Sequence, residues 1–397
     1  MEKYPQLRTA IYFILIIITV IGLSILSNQI WGKKSEQPQT PAKIIINNEM
    51  TLLQFGQANG LPERILKELF DLKAKSDLGK KLDEYGTHDQ ITSLVIKKLA
   101  LASEHAGKNW IKIPVKFLFW IIFLSTVFIF SKKRKMTPGI RNGLLLTSFM
   151  IFGVVMGSDP GPMGTVKDAI HLYGTAHVIF PPRMIALTIF LAMVFFANKY
   201  ICAWGCQVGT LQDLIFRINQ TSKLKAVIGK QIKPSFVLTN TFRFVFFGVF
   251  TLIAILWGTD IIDPIDPFKI YKPMHLGLIG GLFVGLLLFA SLFIYRPWCH
   301  FFCPFGLVGW LVEKVSLVKI SVDYKTCIAC EKCATACPST VMGAILKGDK
   351  KTIPDCFSCY TCRDVCPTNS IIFSSRKRTV PPSDHFDKIK KDEKYKR

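Results

Sequence analysis

Residues 327–338 read Cys-Ile-Ala-Cys-Glu-Lys-Cys-Ala-Thr-Ala-Cys-Pro, and residues 356–367 repeat the spacing as Cys-Phe-Ser-Cys-Tyr-Thr-Cys-Arg-Asp-Val-Cys-Pro. Each copy is a C-x2-C-x2-C-x3-C-P run. Three thiolates on one tight loop hold one side of a metal cluster, whereas the fourth must come from a segment that has left the loop and returned. The proline turns the chain out of the loop. The two copies therefore predict a pair of cluster-binding loops.

This doubled run is the pattern of bacterial ferredoxins with two [4Fe-4S] clusters, in which the fourth cysteine of one run ligates the other run's cluster. One cluster would be held by Cys327, Cys330, Cys333 and Cys366. The second cluster would be held by Cys356, Cys359, Cys362 and Cys337. Tetrahedral zinc also suits paired C-x2-C motifs, but zinc needs no crossed fourth ligand, so the pattern favours iron–sulfur. Disulfides are disfavoured because cysteines this dense need a reducing compartment to remain thiolates.

Half of the 397 residues are apolar, and the net charge is +23. Apolar runs of the length that crosses a bilayer, ~20 residues, recur along the chain. A strongly basic chain binds either nucleic acid or an anionic membrane surface. Because the basic residues flank apolar runs, the sequence predicts membrane lipid as a partner and no nucleic acid.

Six membrane spans are expected, near residues 9–30, 113–130, 142–157, 184–201, 236–257 and 276–295. Basic residues precede the first span and follow the second, so the positive-inside rule places both termini in the cytoplasm. The first run is long for the apolar region of a signal peptide, which favours an uncleaved anchor. The chain is thus expected to be a multi-pass protein of the inner (cytoplasmic) membrane.

The predicted fold is an α-helical membrane protein with a C-terminal α+β two-cluster ferredoxin-like domain and a small helical extramembrane domain. The expected parts are an N-terminal anchor (1–31), an extracytoplasmic helical domain (32–112), a second span (113–135), a four-helix membrane core (136–320), a cytoplasmic two-cluster ferredoxin domain (321–372) and a basic tail (373–397). The paired helical stretches within 32–112 could dock DNA or a partner protein. The alternation of spans places them outside, which favours a partner protein.

Two further cysteine pairs, Cys202/Cys206 and Cys299/Cys303, each follow an apolar run. Each pair is followed by a glycine three residues later and a leucine eight residues later, which predicts a duplicated hairpin. A pseudo-two-fold axis would gather the four thiols at the cytoplasmic surface, and residues i and i+4 of a helix share one face. Three roles are open: ligands of a third metal or iron–sulfur centre, redox-active dithiols, or buried structural thiols.

The segments around these pairs read Cys-Ala-Trp-Gly-Cys-Gln-Val-Gly-Thr-Leu-Gln-Asp (202–213) and Cys-His-Phe-Phe-Cys-Pro-Phe-Gly (299–306). Together with the doubled cluster motif, residues ~140–370 resemble the NapH/NosR-type membrane polyferredoxins. The resemblance is closer to NapH, because residues 31–112 show no counterpart of the NosR flavin-binding domain. Gln207 stands where this family usually has proline.

The resemblance implies electron transfer between membrane quinol and a respiratory reductase or its maturation system. Quinone and another redox protein or complex subunit would then be partners, and the chain would be a quinol-oxidising component of an oxidoreductase complex. One alternative is an assembly factor that reduces a copper or iron ion through the clusters and the four additional cysteines. A redox sensor is another.

Quinol oxidation releases protons, so a quinol site needs proton acceptors. The candidates are loop residues between the spans, Asp168, His171, His177, Asp263 and His275. Solvated loops and proline-rich turns explain each of them equally well. The facing spans carry no histidine pair for a haem, so the sequence leaves open how electrons would cross the bilayer.

Overall fold

The computed structural model describes residues 4–31, 45, 47, 49–61, 63–72, 74–220, 225–348, 355–375, 378–383 and 385–386. Residues 32–44, which begin the predicted extracytoplasmic domain, lie outside the described residues. Most of the predicted basic tail also lies outside them. The elements, in chain order, are α1 (Pro5–Trp31), α2 (Leu52–Ala58), α3 (Glu63–Phe70), α4 (His88–Ala106), α5 (Lys112–Lys132), α6 (Pro138–Phe149), α7 (Pro162–Ala176), α8 (Pro181–Ala197), α9 (Tyr200–Trp204), α10 (Gln207–Ile218), α11 (Phe236–Trp257), α12 (Leu278–Ala290), α13 (Pro297–Phe301), α14 (Pro304–Glu313), β1 (Lys319–Val322), α15 (Lys332–Ala336), α16 (Val341–Lys347), α17 (Thr361–Asp364) and β2 (Ile371–Ser374).

Four apolar helices in the described residues are long enough to cross a membrane: α1, α5, α6 with its π-helical extension Met150–Val155, and α11. Polar side chains begin two of them, because Thr137 and Ser235 each accept a hydrogen bond from a backbone N–H in the first turn. The apolar helices α8 and α12 are shorter, with 17 and 13 residues. A membrane protein is therefore indicated, and six spans stay a prediction.

Two short helix pairs, α9–α10 and α13–α14, pack in the buried core among the apolar helices. The turn between α9 and α10 contains Gly205, whose carbonyl oxygen accepts a hydrogen bond from Trp120 Nε1 at 3.0 Å. Trp120 lies eight residues after the start of α5 at Lys112, roughly 12 Å along that helix. Non-helical backbone at such a depth is tolerated only when protein buries it, and this turn is buried.

The C-terminal domain has an α+β architecture built on two antiparallel strands, β1 and β2. Ile320 pairs with Phe373, and Val322 pairs with Ile371. Val341 and Met342 of α16 pack on the inner face of these strands in a small core. The two cysteine loops lie between the strands in sequence, so the sheet closes the base of both loops.

The ferredoxin domain rests on the membrane core through its second cysteine loop. Arg141 of α6 donates to the carbonyl oxygen of Cys359 at 2.9 Å and pairs with Asp364. Trp204 Nε1 donates to the carbonyl oxygen of Ser358 at 3.3 Å. These contacts are buried or partly buried, and they place the second loop directly against the α9–α10 turn.

At the distal end of the core, away from the ferredoxin domain, helices α2–α4 form a separate small core around Leu52, Phe55 and Val95. This unit reaches the membrane helices through Glu104 of α4, which pairs with Arg183 of α8 at 2.7 Å. The described part of residues 32–112 is therefore helical. Its location outside the membrane stays a prediction.

Candidate metal centres

The eight cysteines of the doubled motif form two sets in space. Cys327, Cys330, Cys333 and Cys366, the first thiol set, line one small cavity. The second thiol set lines another small cavity and comprises Cys337, Cys356, Cys359 and Cys362. The fold thus brings together the same crossed groups of four that the sequence predicts, and their ligation of clusters stays a prediction.

Hydrogen-bond donors surround these sulfur atoms. The Ser358 amide donates to Cys356 Sγ at 3.4 Å. Burial raises the pKa of the Cys366 thiol, but hydrogen bonds from the Thr368 hydroxyl and from the Ser370 and Ile371 amides outweigh burial and hold that pKa below its usual value. Donors of this kind stabilise thiolates and tune the potential of a cluster that they ligate.

The other four cysteines, the core thiol set, occupy matching positions in two copies of one backbone unit. Cys202 and Cys299 are the third residues of α9 and α13, whereas Cys206 and Cys303 cap the N-termini of α10 and α14. All four are buried. Cys303 lies within electrostatic range of the other three, so the fold gathers the set.

The depth of the core thiol set differs from the expectation of a site at the cytoplasmic surface. The expected span at 184–201 breaks instead at Asn198, and α9 then carries Cys202 toward the turn beside Trp120. The hydropathy of the sequence predicts α8 and α9 as one continuous span, because the residues on both sides of the break are apolar. The structure therefore buries these thiols among the apolar helices, beside a residue well inside α5.

In each copy of the backbone unit, one glycine allows the helix after the cysteine turn to pack closely against the helix before it. A Cβ on Gly209 would lie 2.9 Å from the Cys202 carbonyl oxygen, and one on Gly306 would lie 2.7 Å from the Cys299 carbonyl oxygen. Real Cβ atoms do not approach so closely. The glycines that recur after both pairs thus serve close backbone contact around the thiols.

Buried cations accompany the core thiol set. Arg296 donates to the carbonyl oxygens of Cys202 and Ala203 and pairs with Asp213 at 2.6 Å. Arg243 donates to the Cys299 carbonyl oxygen at 3.3 Å and pairs with Asp355 at 3.0 Å. Lys199, which also pairs with Asp355, is fully buried as well.

The donors around this set fit a negatively charged iron–sulfur cluster. The Gly306 amide donates to Cys303 Sγ at 3.3 Å. The Nε atoms of Arg243 and Arg296 and the Nε1 atom of Trp298 are buried without a hydrogen-bond partner. Four thiolates on a [4Fe-4S] cluster would supply negative charge toward these N–H groups. In the part of the chain described, no three His, Cys, Asp or Glu side chains have the spacing of a single-ion site.

The predicted proton acceptors separate into two groups. Asp168, Asp263 and His275 line one cavity at the distal end of the core. His171 Nε2 lies 3.2 Å from the Gly258 carbonyl oxygen, and His177 ends α7 in a left-handed conformation. The structure therefore brings only the first three to a common cavity.

Sequence reasoning missed Lys199 and Arg296, although a signal was available. Both are basic residues three positions before the first cysteine of a pair. Aligning the two copies would have paired them. A basic residue repeated at the end of an apolar run, inside a duplicated unit, indicates a role at the shared centre.

Comparison with known families agrees with both cysteine regions. The 4Fe-4S dicluster domain family matches residues 319–367. A second family, the 4Fe-4S binding domain, matches twice, at residues 179–229 and 276–322. Each of the two matches contains one pair of the core thiol set, so the duplication is also seen at the family level.

Among curated proteins, YccM of Escherichia coli, named for electron transport, is 29% identical over 205 residues, which cover 49% of this chain and 56% of YccM. The methylamine utilization ferredoxin-type protein MauN of Paracoccus denitrificans is 28% identical over 43% of this chain and 60% of its own length. A ferredoxin of Methanothermococcus thermolithotrophicus is 39% identical over 57 residues, 13% of this chain and 92% of that ferredoxin.

The alignments span little more than half of the YccM and MauN chains. No solved structure matches the chain significantly. The chain carries ferredoxin-type 4Fe-4S domains, together with apolar helices long enough to cross a membrane, and is similar to ferredoxin-type electron-transport proteins.

Proposed function

We propose that this protein conducts electrons between the quinol pool and a respiratory redox partner through three [4Fe-4S] clusters, held by the first, second and core thiol sets. The single observation that carries the proposal is the position of the core thiol set. It lies among the apolar helices, between the distal loops and the ferredoxin domain. In the proposed membrane orientation, a cluster held there would be the carrier at membrane depth that the sequence alone left unidentified.

Contacts between the core and second thiol sets support this route. Phe357, next to Cys356 in the chain, is buried. The Lys199 ammonium lies 5.0 Å from the centre of its ring, and the Arg296 guanidinium lies 5.5 Å from it. The loop of the second thiol set therefore contacts two cations that accompany the core thiol set, so the second set is the inner one of the ferredoxin domain.

The first thiol set is the one that faces a partner. Cys330 is exposed, and Ile328 in the same loop is about half exposed. The neighbouring Lys325 and Lys332 are exposed too. This surface favours a redox protein or complex subunit with an acidic face.

A bound [4Fe-4S] cluster takes up and releases one electron, with a potential set by charge, burial and hydrogen bonds to sulfur. Around the core thiol set, Arg243, Arg296 and Lys199 supply positive charge and the Gly306 amide supplies a hydrogen bond to sulfur. These residues favour the reduced form of a centre held there. We also propose that both termini lie in the cytoplasm, with the chain in the inner membrane.

The test is the iron and acid-labile sulfide content of anaerobically purified full-length protein. The comparison is with a variant in which Cys202, Cys206, Cys299 and Cys303 are serine. We expect about twelve irons per chain in the wild type and about eight in the variant. Electron paramagnetic resonance during quinol addition should show cluster reduction in the wild type only. About eight irons in both proteins would refute a third cluster.

A further inference from the structure

A cavity of about 470 Å³ lies at the distal end of the membrane core. Its walls come from the segment Ser158–Asp168 and from the segment Asp263–His275. Its volume is in the range of small-molecule binding sites, roughly 300–1,000 Å³. None of the cysteines in the three thiol sets lines this cavity.

Each lysine that lines this cavity lies beside at least one carboxylate. Lys272 lies 3.1 Å from Asp159, and Lys269 lies 2.7 Å from Asp263. Lys167 lies 3.6 Å from Asp266 and 3.3 Å from Asp168, and it is closest to Asp260, at 2.8 Å. Because an ammonium group accompanies each of these carboxylates, the cavity offers both donors and acceptors. Such a lining suits hydroxyl and carbonyl groups on an uncharged ligand.

An apolar cavity lies beside the polar one and shares part of its wall. Asp159, Gly161, Gly164 and Asp168 border both cavities. The remaining walls of the apolar cavity include aromatic and aliphatic side chains next to α5 and α8, among them Trp110, Ile113, Phe180 and Ala186. A polar chamber with an apolar neighbour at the end of membrane helices fits an amphipathic ligand.

Gln207 joins the cavity wall to the core thiol set. Its Nε2 atom donates to the carbonyl oxygen of Ser158, a wall residue, at 3.0 Å. Its Oε1 atom is buried without a hydrogen-bond partner. Gln207 follows Cys206 directly in the chain. The Tyr271 hydroxyl donates to the carbonyl oxygen of Gln207 at 3.0 Å. A ligand in the cavity is therefore separated from the thiol set by the Ser158–Gln207 contact.

We propose that the polar cavity binds the ring of a membrane hydroquinone, that the apolar cavity takes the start of its hydrocarbon chain, and that its electrons leave along Gln207 toward Cys206. This inference rests on the proposed function. The hydroquinone loses two electrons and two protons and becomes the quinone. The electrons pass singly to two one-electron acceptors of the iron–sulfur class, and the protons pass to the Asp266 carboxylate and to water.

The experiment compares full-length wild type with Gly164→Leu in lipid nanodiscs. Gly164 borders both cavities, and a Cβ there would already lie 3.3 Å from Asp168 Oδ2, so leucine would fill the space. Gly285→Leu is the matched control, because a Cβ on Gly285 meets nothing within 4 Å. The probes are decylubiquinol and menadiol for reduction and an aryl-azide quinone for photolabelling.

We expect photolabel on peptides containing 158–168 or 263–275, and its loss in Gly164→Leu. Reduction of cluster absorbance by either quinol should slow at least tenfold in Gly164→Leu and stay unchanged in Gly285→Leu. Dithionite should reduce all three proteins equally, which shows that the clusters are intact and the fold is kept.

Two results would distinguish a failure of the cavity assignment from a failure of the proposed function. Label elsewhere, or wild-type reduction rates in Gly164→Leu, would overturn the cavity assignment while quinol oxidation stands. Failure of both quinols to reduce the wild type, when dithionite does reduce it, would refute the quinol part of the proposed function and this inference with it.

Discussion

The Lys199 ammonium lies 3.0 Å from the carbonyl oxygen of Gly306, on the opposite half of the duplicated membrane core. Arg296, at the matching position of the second half, reaches back to the Ala203 carbonyl oxygen at 2.7 Å. Each cysteine turn is thus held by a buried cation from the other half. The two halves therefore depend on one another, and their cations lie beside the thiols that both halves contribute.

Replacing Arg296 by methionine should destabilise this core. Asp213 would lose one partner at the buried site and keep Arg217 at 2.7 Å. Breaking a buried ion pair costs roughly 3–5 kcal/mol, and the remaining arginine suggests the lower end. The free energy of unfolding in detergent, measured by denaturant titration, should fall by about 3 kcal/mol.

The double variant Arg296→Met/Asp213→Leu is the control. It leaves the buried Arg217 without its carboxylate partner, so it should be less stable than Arg296→Met. Equal stability of Arg296→Met and the wild type would contradict the role assigned to this pair.

Adding one methyl group at Gly306 or Gly209 should disturb the core thiol set. The new Cβ would overlap the carbonyl oxygen of Cys299 or Cys202, and overpacking costs typically about 1–3 kcal/mol. We expect Gly306→Ala and Gly209→Ala to lose about four irons per chain and to keep the iron of the doubled motif.

Gly285→Ala provides a matched substitution with free space around the new methyl group. Its iron content should equal that of the wild type. Full iron content in Gly306→Ala would show that close backbone packing is not required to build the centre.

The grouping of the thiols followed from sequence because it depends on local spacing. The doubled motif predicts which four cysteines meet, and the recurrence around Cys202 and Cys299 predicts that two halves meet. The depth of the core thiol set could not be predicted from the sequence, because hydropathy does not distinguish a membrane-spanning helix from one after which the chain turns back. Asn198 and Lys199, where the chain leaves α8, are polar, but apolar residues flank them on both sides.

The partners of the buried charged residues could not be predicted from the sequence either. Arg296 and Asp213 are far apart in sequence, and only the packing of the two halves joins them. Asp266 illustrates the same limit at the distal end. Its side chain accepts a hydrogen bond from the Phe268 amide at 2.9 Å, a local turn contact of the kind that an aspartate before proline makes. Its carboxyl group also borders the polar cavity. This cavity forms where the segment meets α7, which the sequence alone does not predict.

Arg141 should couple the ferredoxin domain to the membrane core. It is buried and donates to the Cys359 carbonyl oxygen, to Thr361 and to Asp364. Arg141→Ala should loosen the second cysteine loop from the α9–α10 turn. We expect the clusters to be retained, and transfer from the core centre to the ferredoxin domain to slow at least tenfold in stopped-flow measurements.

Arg134→Ala is the comparison for this substitution, because the exposed side chain of Arg134 makes only a 3.3 Å hydrogen bond to the Asn369 carbonyl oxygen among the contacts described. It should leave the transfer rate unchanged. If both variants transfer electrons at the wild-type rate, the buried contact does not control docking.

The rate of reduction by quinol should depend on the ionisation of Asp266. Burial raises the pKa of this carboxyl to about 6, and Asp168 and Asp159 add to the rise, while Lys167 and the Phe268 amide oppose it. Only the ionised carboxylate accepts a proton, so its active fraction grows as pH rises through 6. The rate of cluster reduction by decylubiquinol should therefore increase between pH 5 and about 7 and then level off.

Asp266→Asn should remove this inflection and lower the plateau rate, since a positioned base contributes roughly 10²–10⁴-fold. The asparagine keeps an oxygen for the Phe268 amide, so the turn is preserved. Asp71→Asn, on the exposed surface of the helical unit, makes the same chemical change outside the cavity and should keep the wild-type profile. An inflection near pH 6 that persists in Asp266→Asn would assign the proton acceptor to another group.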